Sequence, residues 1–171
     1  AVFAYFIMGR SQNSRNRIFE TAIDDIRTRA FDESFLTDPS LIIYSPVRVL
    51  EKQTIVTNGD QTDTIYKYLN SGKSFEDALF TREFEPDPPN FTPRISGLLD
   101  FKDNLIIKLS ILKSDEGDKE QTLRFFYNYD NPKVGKGFFI HTYEGDGNPL
   151  PSFKGEPRKV DIRGNIREFS E

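Results

Sequence analysis

The 171 residues contain no cysteine, no tryptophan and a single histidine, His141. Without cysteine there is no disulfide, no thiolate nucleophile and no cysteine-held zinc or iron–sulfur centre, and the compartment stays open because that absence suits any redox environment. With one histidine and no GxSxG elbow, a hydrolytic triad would depend wholly on His141, which lies among alternating aromatics in "FFIHTY" and reads better as a packed ring. Neither GxGxxG nor a Walker loop is present. The acids around "EFEPDPP" have no histidine at ligand spacing, and carboxylates alone would suit only a loosely held hard cation, so no metal site is expected. No apolar run approaches the ~20 residues that span a bilayer. The opening "AVFAYFIMG" is too short for a signal peptide and lacks a basic leader, which leaves the cytoplasm as the default expectation. Charge of either sign is not in excess: 23 basic and 27 acidic residues are interspersed, giving a net charge of -4 and no basic face for nucleic acid or a membrane surface.

What is abundant is aromatic volume, with 16 Phe and 7 Tyr, enough for one domain with a substantial core. Short β-branched or aromatic segments punctuated by turn residues read as strands. Val2–Met8 is the first. "DIRTRAF" and "SLIIYSPVRVL" follow, the latter passing through "EKQ" into "TIVTN" as a hairpin. The period then lengthens to three or four, with Thr64, Ile65, Tyr68 and Leu69, and then Phe75, Ala78 and Leu79, marking two consecutive helices. Asp60 or Thr62 can cap the first, Gly72 stops it, and Ser74 with Asp77 forms a capping box for the second. Beyond the proline-rich "EPDPPNFTP", strands resume at 94–101, 105–112, 122–129 and 137–143, with a brief "KVDI" in a Gly- and Pro-rich tail. Strands, a helix pair and more strands is an α+β order that favours antiparallel sheet with helices on an outer face.

Three polar clusters stand where loops leave regular elements. In "GRSQNSRNR", Arg10, Arg15 and Arg17 accompany Ser11, Ser14 and Asn16 with no acid among them. Such a cluster is either a solvated turn or an anion site. In "TNGDQTDT", Asn58 and Gly59 suit a tight turn before a helix N-terminus, which is either simply capped or an anion cradle. In "REFEPDPPNFTPR", Glu83, Glu85 and Asp87 read, taken alone, as solvated acids.

In order along the chain, "GRSQNSRNR", "PSLIIYSPVRV", "TIVTNGDQTDTIYKYLNSGKSFEDAL" and "NFTPRI" resemble the inosine monophosphate (IMP) cyclohydrolase family of the archaeal type, especially its bacterial branch, to which "GFFIHTY" and "DGNPLPSF" are also similar. The resemblance implies a four-layer αββα sandwich of mainly antiparallel strands, like that of N-terminal-nucleophile hydrolases. It also implies closure of 5-formamidoimidazole-4-carboxamide ribonucleotide (FAICAR) to IMP in purine biosynthesis. The implied partner is a small purine nucleotide, whose phosphate dianion suits bidentate guanidinium groups, and the intramolecular ring closure implies no cofactor.

By position in the family motifs, Arg17, Tyr44 and Glu85 are implied as catalytic: a cation for the formyl oxygen, a hydrogen-bond or proton donor, and a group that accepts from the carboxamide nitrogen or orients the arginine. Arg10, Ser11, Asn16, Asn58, Gly59 and Arg94 are implied as substrate-binding. The chain is expected to form a single domain over 1–171. Set against the resemblance, it is expected to lack the short N-terminal strand with a Gly-Arg segment that family members usually carry. It also has no reactive side chain at Ala1, so amide hydrolysis is not implied. A non-catalytic purine-nucleotide-binding protein of the same fold is the alternative, and homo-oligomerisation stays open.

Overall fold

The computed structural model describes residues 1–164. Its centre is one seven-stranded sheet whose order along the sheet equals the order along the chain: β1 (Arg17–Thr21), β2 (Asp25–Ala30), β3 (Val47–Leu50), β4 (Gln53–Thr57), β5 (Arg94–Asp100), β6 (Ile106–Asp115) and β7 (Asp118–Asp130). Every neighbouring pair is antiparallel. A short helix α1 (Gln12–Arg15) precedes the sheet, and α2 (Gln61–Asn70) and α3 (Phe75–Phe80) are inserted between β4 and β5. A separate two-stranded pair follows, β8 (Lys136–Phe139) with β9 (Arg158–Asp161). The content is mixed α and β, dominated by antiparallel strands, as the element order implies.

Register decides which side chains share a face. Ile55 pairs with Leu98 and Leu98 with Lys108, so these point to one side, together with Leu112 four residues further along β6. That side carries the helices. The apolar positions of α2 and α3 recur every three to four residues and lay Ile65, Phe75, Ala78 and Leu79 against Ile55, Leu98 and Leu112 in one core cluster. Burying each large member removes water at a gain of about 1.5–3 kcal/mol. The helix boundaries follow the sequence signals. Gly72 takes a φ of 78° just past α2, and the Ser74 hydroxyl accepts from the Asp77 amide while the Asp77 carboxylate accepts from the Ser74 amide, closing the expected capping box.

On the opposite side, Gly97, Leu109 and Tyr127 are register partners across β5, β6 and β7. A side chain at Gly97 would come within 3.1 Å of the Phe3 ring, so the first residues lie across this face. Tyr127 donates to the Gly155 carbonyl at 3.0 Å, Lys113 donates to the Phe153 carbonyl at 3.2 Å, and Tyr129 stacks on Phe138 at 3.7 Å. The sheet is therefore covered by helices on one face and by extended segments on the other.

Three expected elements differ. Val2–Met8 is extended, with Phe3, Tyr5 and Ile7 turned inward and Val2, Phe6 and Met8 exposed. However, it forms no ladder among the described residues, because it docks by side chains across the sheet face and not along an edge. The strand expected through "SLIIYSPVRVL" shrinks to β3: Ile42 and Ile43 both donate to the Pro39 carbonyl in a turn, and Pro46 brings no amide to a ladder. The strand expected over 137–143 ends at Phe139. The hairpin through "EKQ" and the short strand in "KVDI" are present, while β1, "RIFET", stood unread at the end of the arginine cluster.

Candidate functional site

Chain geometry places Arg17 before any long-range contact does. Ser11 and Ser14 cap α1 reciprocally, each backbone amide donating 3.0 Å to the other's hydroxyl. Gly9 has no space for a side chain, since a Cβ there would come within 2.5 Å of the Ser14 carbonyl carbon. Asn16 is buried and clamps the Asp32 backbone twice, donating at 2.7 Å and accepting at 2.8 Å. The turn so fixed delivers Arg17 as the first residue of β1. Its Nε donates to the Ser14 carbonyl at 2.8 Å, and its Nη1 reaches the Tyr44 hydroxyl at 3.5 Å. Tyr44 is itself pinned through its backbone, its amide donating to the Thr28 hydroxyl and its carbonyl accepting from the Thr28 amide, both at 2.9 Å. Its hydroxyl lies 2.8 Å from that of Tyr5, which arrives on the extended N-terminal segment.

A second group gathers where β4, α2 and β5 end together. The Asn58 side chain donates to the Pro93 carbonyl at 2.9 Å and accepts from the Ile95 amide at 2.9 Å and from Gln61 at 3.0 Å. Arg94 is 5% exposed, donates to Gln61 at 2.7 Å and pairs with Asp60 at 2.8 Å. Asp60 occupies the N-cap position of α2 without capping it, because its carboxylate receives Arg82 at 2.6 Å as well as Arg94. Burial opposes the charge on Asp60, and the two arginines overcome that cost and hold its carboxyl below the ordinary range. Gly59 supplies the room: a Cβ there would sit 2.5 Å from Arg94 Nη1 and 3.4 Å from Glu85 Oε1.

The proline-rich loop brings the third group. Glu83 is exposed, as read, but Glu85 is 8% exposed and its carboxylate takes no hydrogen bond among the described residues, although its amide donates to the Thr92 carbonyl at 2.9 Å. Burial pushes its carboxyl up to about 7, with Arg94 opposing, Asp87 and Asp60 reinforcing, and Arg17 opposing. Asp87 accepts from the Thr92 amide at 2.6 Å and from its hydroxyl, and the same hydroxyl meets Tyr143. Burial likewise raises the Tyr143 phenol to about 12, and it raises that of Tyr44 against the hydrogen bond from Tyr5 and the charge of Arg17.

Glu85 thus feels the charges of both Arg94 and Arg17, and Tyr44 those of Arg17 and Glu85. Asn16, Asn58 and Gly59 belong to the scaffold that positions them, their amides and space being taken up by protein groups. Arg10 stays at the exposed rim, its only ion pair among the described residues being with Asp146 at 3.3 Å. A cleft of about 280 Å³ opens beside Arg17, lined also by Ile7, Ser14, Arg15 and Phe19, and another of about 340 Å³ beside Tyr44, lined also by Thr28, Ser45 and Arg48. Glu85 lines neither.

Tyr5 and Tyr143 were missed, because a tyrosine inside an apolar or aromatic run gives no signal beyond strand propensity. His141 Nδ1 lies 2.7 Å from the Tyr143 carbonyl and therefore carries the proton, while its ring packs between Phe139 and Phe153. A fixed cation, a phenol and a carboxyl that titrates near neutrality can together stabilise a developing oxyanion and move a proton. No helix among the described residues is long and apolar enough to cross a membrane.

The family described as IMP cyclohydrolase-like protein matches residues 1–171. The chain is 30% identical over 125 residues to the IMP cyclohydrolase of Methanopyrus kandleri, covering 71% of the chain and 57% of that protein. It is also 30% identical over 135 residues to the IMP cyclohydrolase of Methanocaldococcus jannaschii, covering 75% and 61%. The chain therefore spans about three fifths of the length of these relatives, and with its whole length matched it belongs to the IMP cyclohydrolase-like family.

Proposed function

We propose that the chain is an IMP cyclohydrolase, closing FAICAR to IMP with loss of water in purine biosynthesis. The observation that carries the reading is the convergence of Arg17, Tyr44 and a buried, unbonded Glu85 whose carboxyl titrates near neutrality. The ring closure is intramolecular, so it needs orientation and proton management and no covalent nucleophile.

In the first step the carboxamide nitrogen attacks the formyl carbon and gives a proton to the Glu85 carboxylate, while the formyl oxygen takes the Tyr44 proton and Arg17 balances its charge. In the second step the former formamide nitrogen returns a proton to the Tyr44 oxygen as the C=N bond forms. The hydroxyl leaves as water with the proton held by Glu85. Both groups are restored, and the net change is the loss of one water. A carboxyl near 7 suits both halves, accepting and then donating at neutral pH.

Arg10 and Arg94 serve the anionic substrate, and Ser11, Asn16, Asn58 and Gly59 hold them and Arg17 in place. In the same reading, residues 1–171 form one cytoplasmic domain, and the helix-backed sheet is half of a four-layer αββα sandwich of the N-terminal-nucleophile-hydrolase kind. The small-molecule substrate is the only partner the chemistry requires, and a homo-oligomer is compatible with it.

The test is incubation of the purified chain with FAICAR in the presence of a chelator, following the rise of purine absorbance. Turnover is expected. A folded chain that converts no FAICAR refutes the reading, and tight IMP binding without turnover would assign it as a nucleotide-binding protein instead.

A further inference from the structure

Tyr44 cannot act alone as a proton donor, because the electron pair left on its oxygen would sit in a desolvated place. Among the described residues two groups touch that oxygen: Arg17 Nη1 at 3.5 Å and the Tyr5 hydroxyl at 2.8 Å. In the neutral pair either hydroxyl can donate to the other. Once the Tyr44 O–H bond breaks and the proton passes to the former formyl oxygen, the phenolate can only accept, so the Tyr5 hydroxyl must donate. A hydrogen bond to an ion is about twice as strong as one between neutral groups. It therefore strengthens as charge develops and favours the transition state over the ground state.

We propose that Tyr5 is a positioning residue for the ring closure, the second donor that holds the Tyr44 oxygen as it gives up its proton. This deepens the cyclohydrolase reading and rests on it.

The placement of Tyr5 is built into the fold. Its segment has no ladder, yet Phe3 is seated over the bare Cα of Gly97, the Tyr5 ring leans on Phe19 at 6.0 Å, and Ile7 lines the cleft beside Arg17. A strand-like segment docked only by side chains is thereby given a chemical reason to be held. The charged and titratable groups facing the pair are Arg17, from β1, and Glu85, from the proline-rich loop. Burial, reinforced by Tyr44, keeps the Tyr5 hydroxyl protonated, so it remains a donor when the Tyr44 oxygen is charged.

The experiment is Tyr5→Phe, which removes one oxygen and keeps the ring. Its kcat should fall about 10-fold or more with KM and IMP affinity within about 2-fold. In a Tyr44→Phe background the same change should cost nothing further, since the oxygen it serves is gone. Independently of turnover, NMR of Cζ-labelled tyrosine should place the Tyr44 ionisation at higher pH in Tyr5→Phe than in the unaltered chain. A kcat within about 2-fold, or a loss that repeats in full on top of Tyr44→Phe, overturns the proposal. An unchanged Tyr44 ionisation overturns it whether or not FAICAR is converted. Absence of FAICAR turnover in the unaltered chain overturns the reaction itself and leaves the Tyr5–Tyr44 contact to the NMR arm.

Discussion

Gln61 and Ile65 stand one turn apart on α2 and are equally inaccessible, each 0% exposed, yet they belong to regions held by different forces. Ile65 lies in the apolar cluster with Ile55, Phe75, Leu79 and Leu98. Gln61 stands at the site end of the same elements, where its amide donates to Asn58 and the Ile95 carbonyl and accepts from Arg94. Ile65 is held by exclusion of water and Gln61 by hydrogen bonds. Glu85, 8% exposed, is nearly as buried, yet its carboxylate takes no hydrogen bond among the described residues and burial raises its carboxyl to about 7. The difference teaches that burial alone does not separate scaffold from chemistry. An unpaired buried carboxyl costs stability when ionised, and the position where that cost is tolerated is the position that titrates.

The apolar half of the comparison breaks most easily at Phe75, 1% exposed at the centre of the cluster. Phe75→Ala should destabilise by about 3–5 kcal/mol through lost transfer and a cavity, read by denaturant unfolding, while kcat in the folded fraction holds. The polar half should respond the other way round. Arg17→Ala and Tyr44→Phe should lower kcat by about 10²-fold, roughly 2.7 kcal/mol, with the unfolding midpoint and IMP affinity little changed. Equal loss of stability in both halves would erase the distinction, and intact kcat in both site variants would sink the catalytic assignment.

Glu85→Gln sharpens the comparison because rate and stability should move in opposite directions. The carboxyl is raised from 4.5 to about 7 in the folded chain, so the fold holds this proton more tightly than the unfolded chain does. Its contribution to stability is therefore complete below the unfolded value and is lost as pH rises through 7. Glutamine removes that loss. The variant should match the parent in acid and exceed it by on the order of 2 kcal/mol at about pH 8, measured by unfolding across pH. Its kcat should fall, and the limb of the rate profile near neutrality should vanish. A variant equally stable relative to the parent at every pH would show that Glu85 is not held near neutrality.

Much of the fold was legible because its signals are local. Period three to four gave α2 and α3, Ser74 and Asp77 gave the second helix start, and Gly72 gave the stop. What escaped depends on tertiary placement. Val2–Met8 has the alternation of a strand, but a ladder requires a neighbour that sequence does not reveal. Glu85 is buried where its amide meets the Thr92 carbonyl and its carboxylate comes near Gly59, whereas the acids around it look alike on paper. Arg17, Tyr44, Glu85 and Arg94 could be named from motif resemblance alone. The partnerships that give them meaning, Tyr5 with Tyr44 and Gly59 making room for Arg94, come from contacts across 39 and 35 positions of the chain.

The smallest effect belongs to Arg10, which separates rim from interior among the arginines themselves. Arg94 is buried and held by Asp60 and Gln61, whereas the Arg10 side chain is 53% exposed and pairs with the fully exposed Asp146. An exposed pair of this kind is worth about 0–1 kcal/mol, so Arg10→Ala should leave the unfolding midpoint unchanged. If Arg10 instead awaits a phosphate dianion, its loss should raise KM about 5-fold and leave kcat alone, and the difference should shrink as salt screens the attraction. Asp146→Ala offers the complementary measurement: a carboxylate that competes with phosphate for the same guanidinium should, once removed, lower KM slightly. A fall in kcat at constant KM for Arg10→Ala would move this residue from the rim into the chemistry and place the phosphate elsewhere.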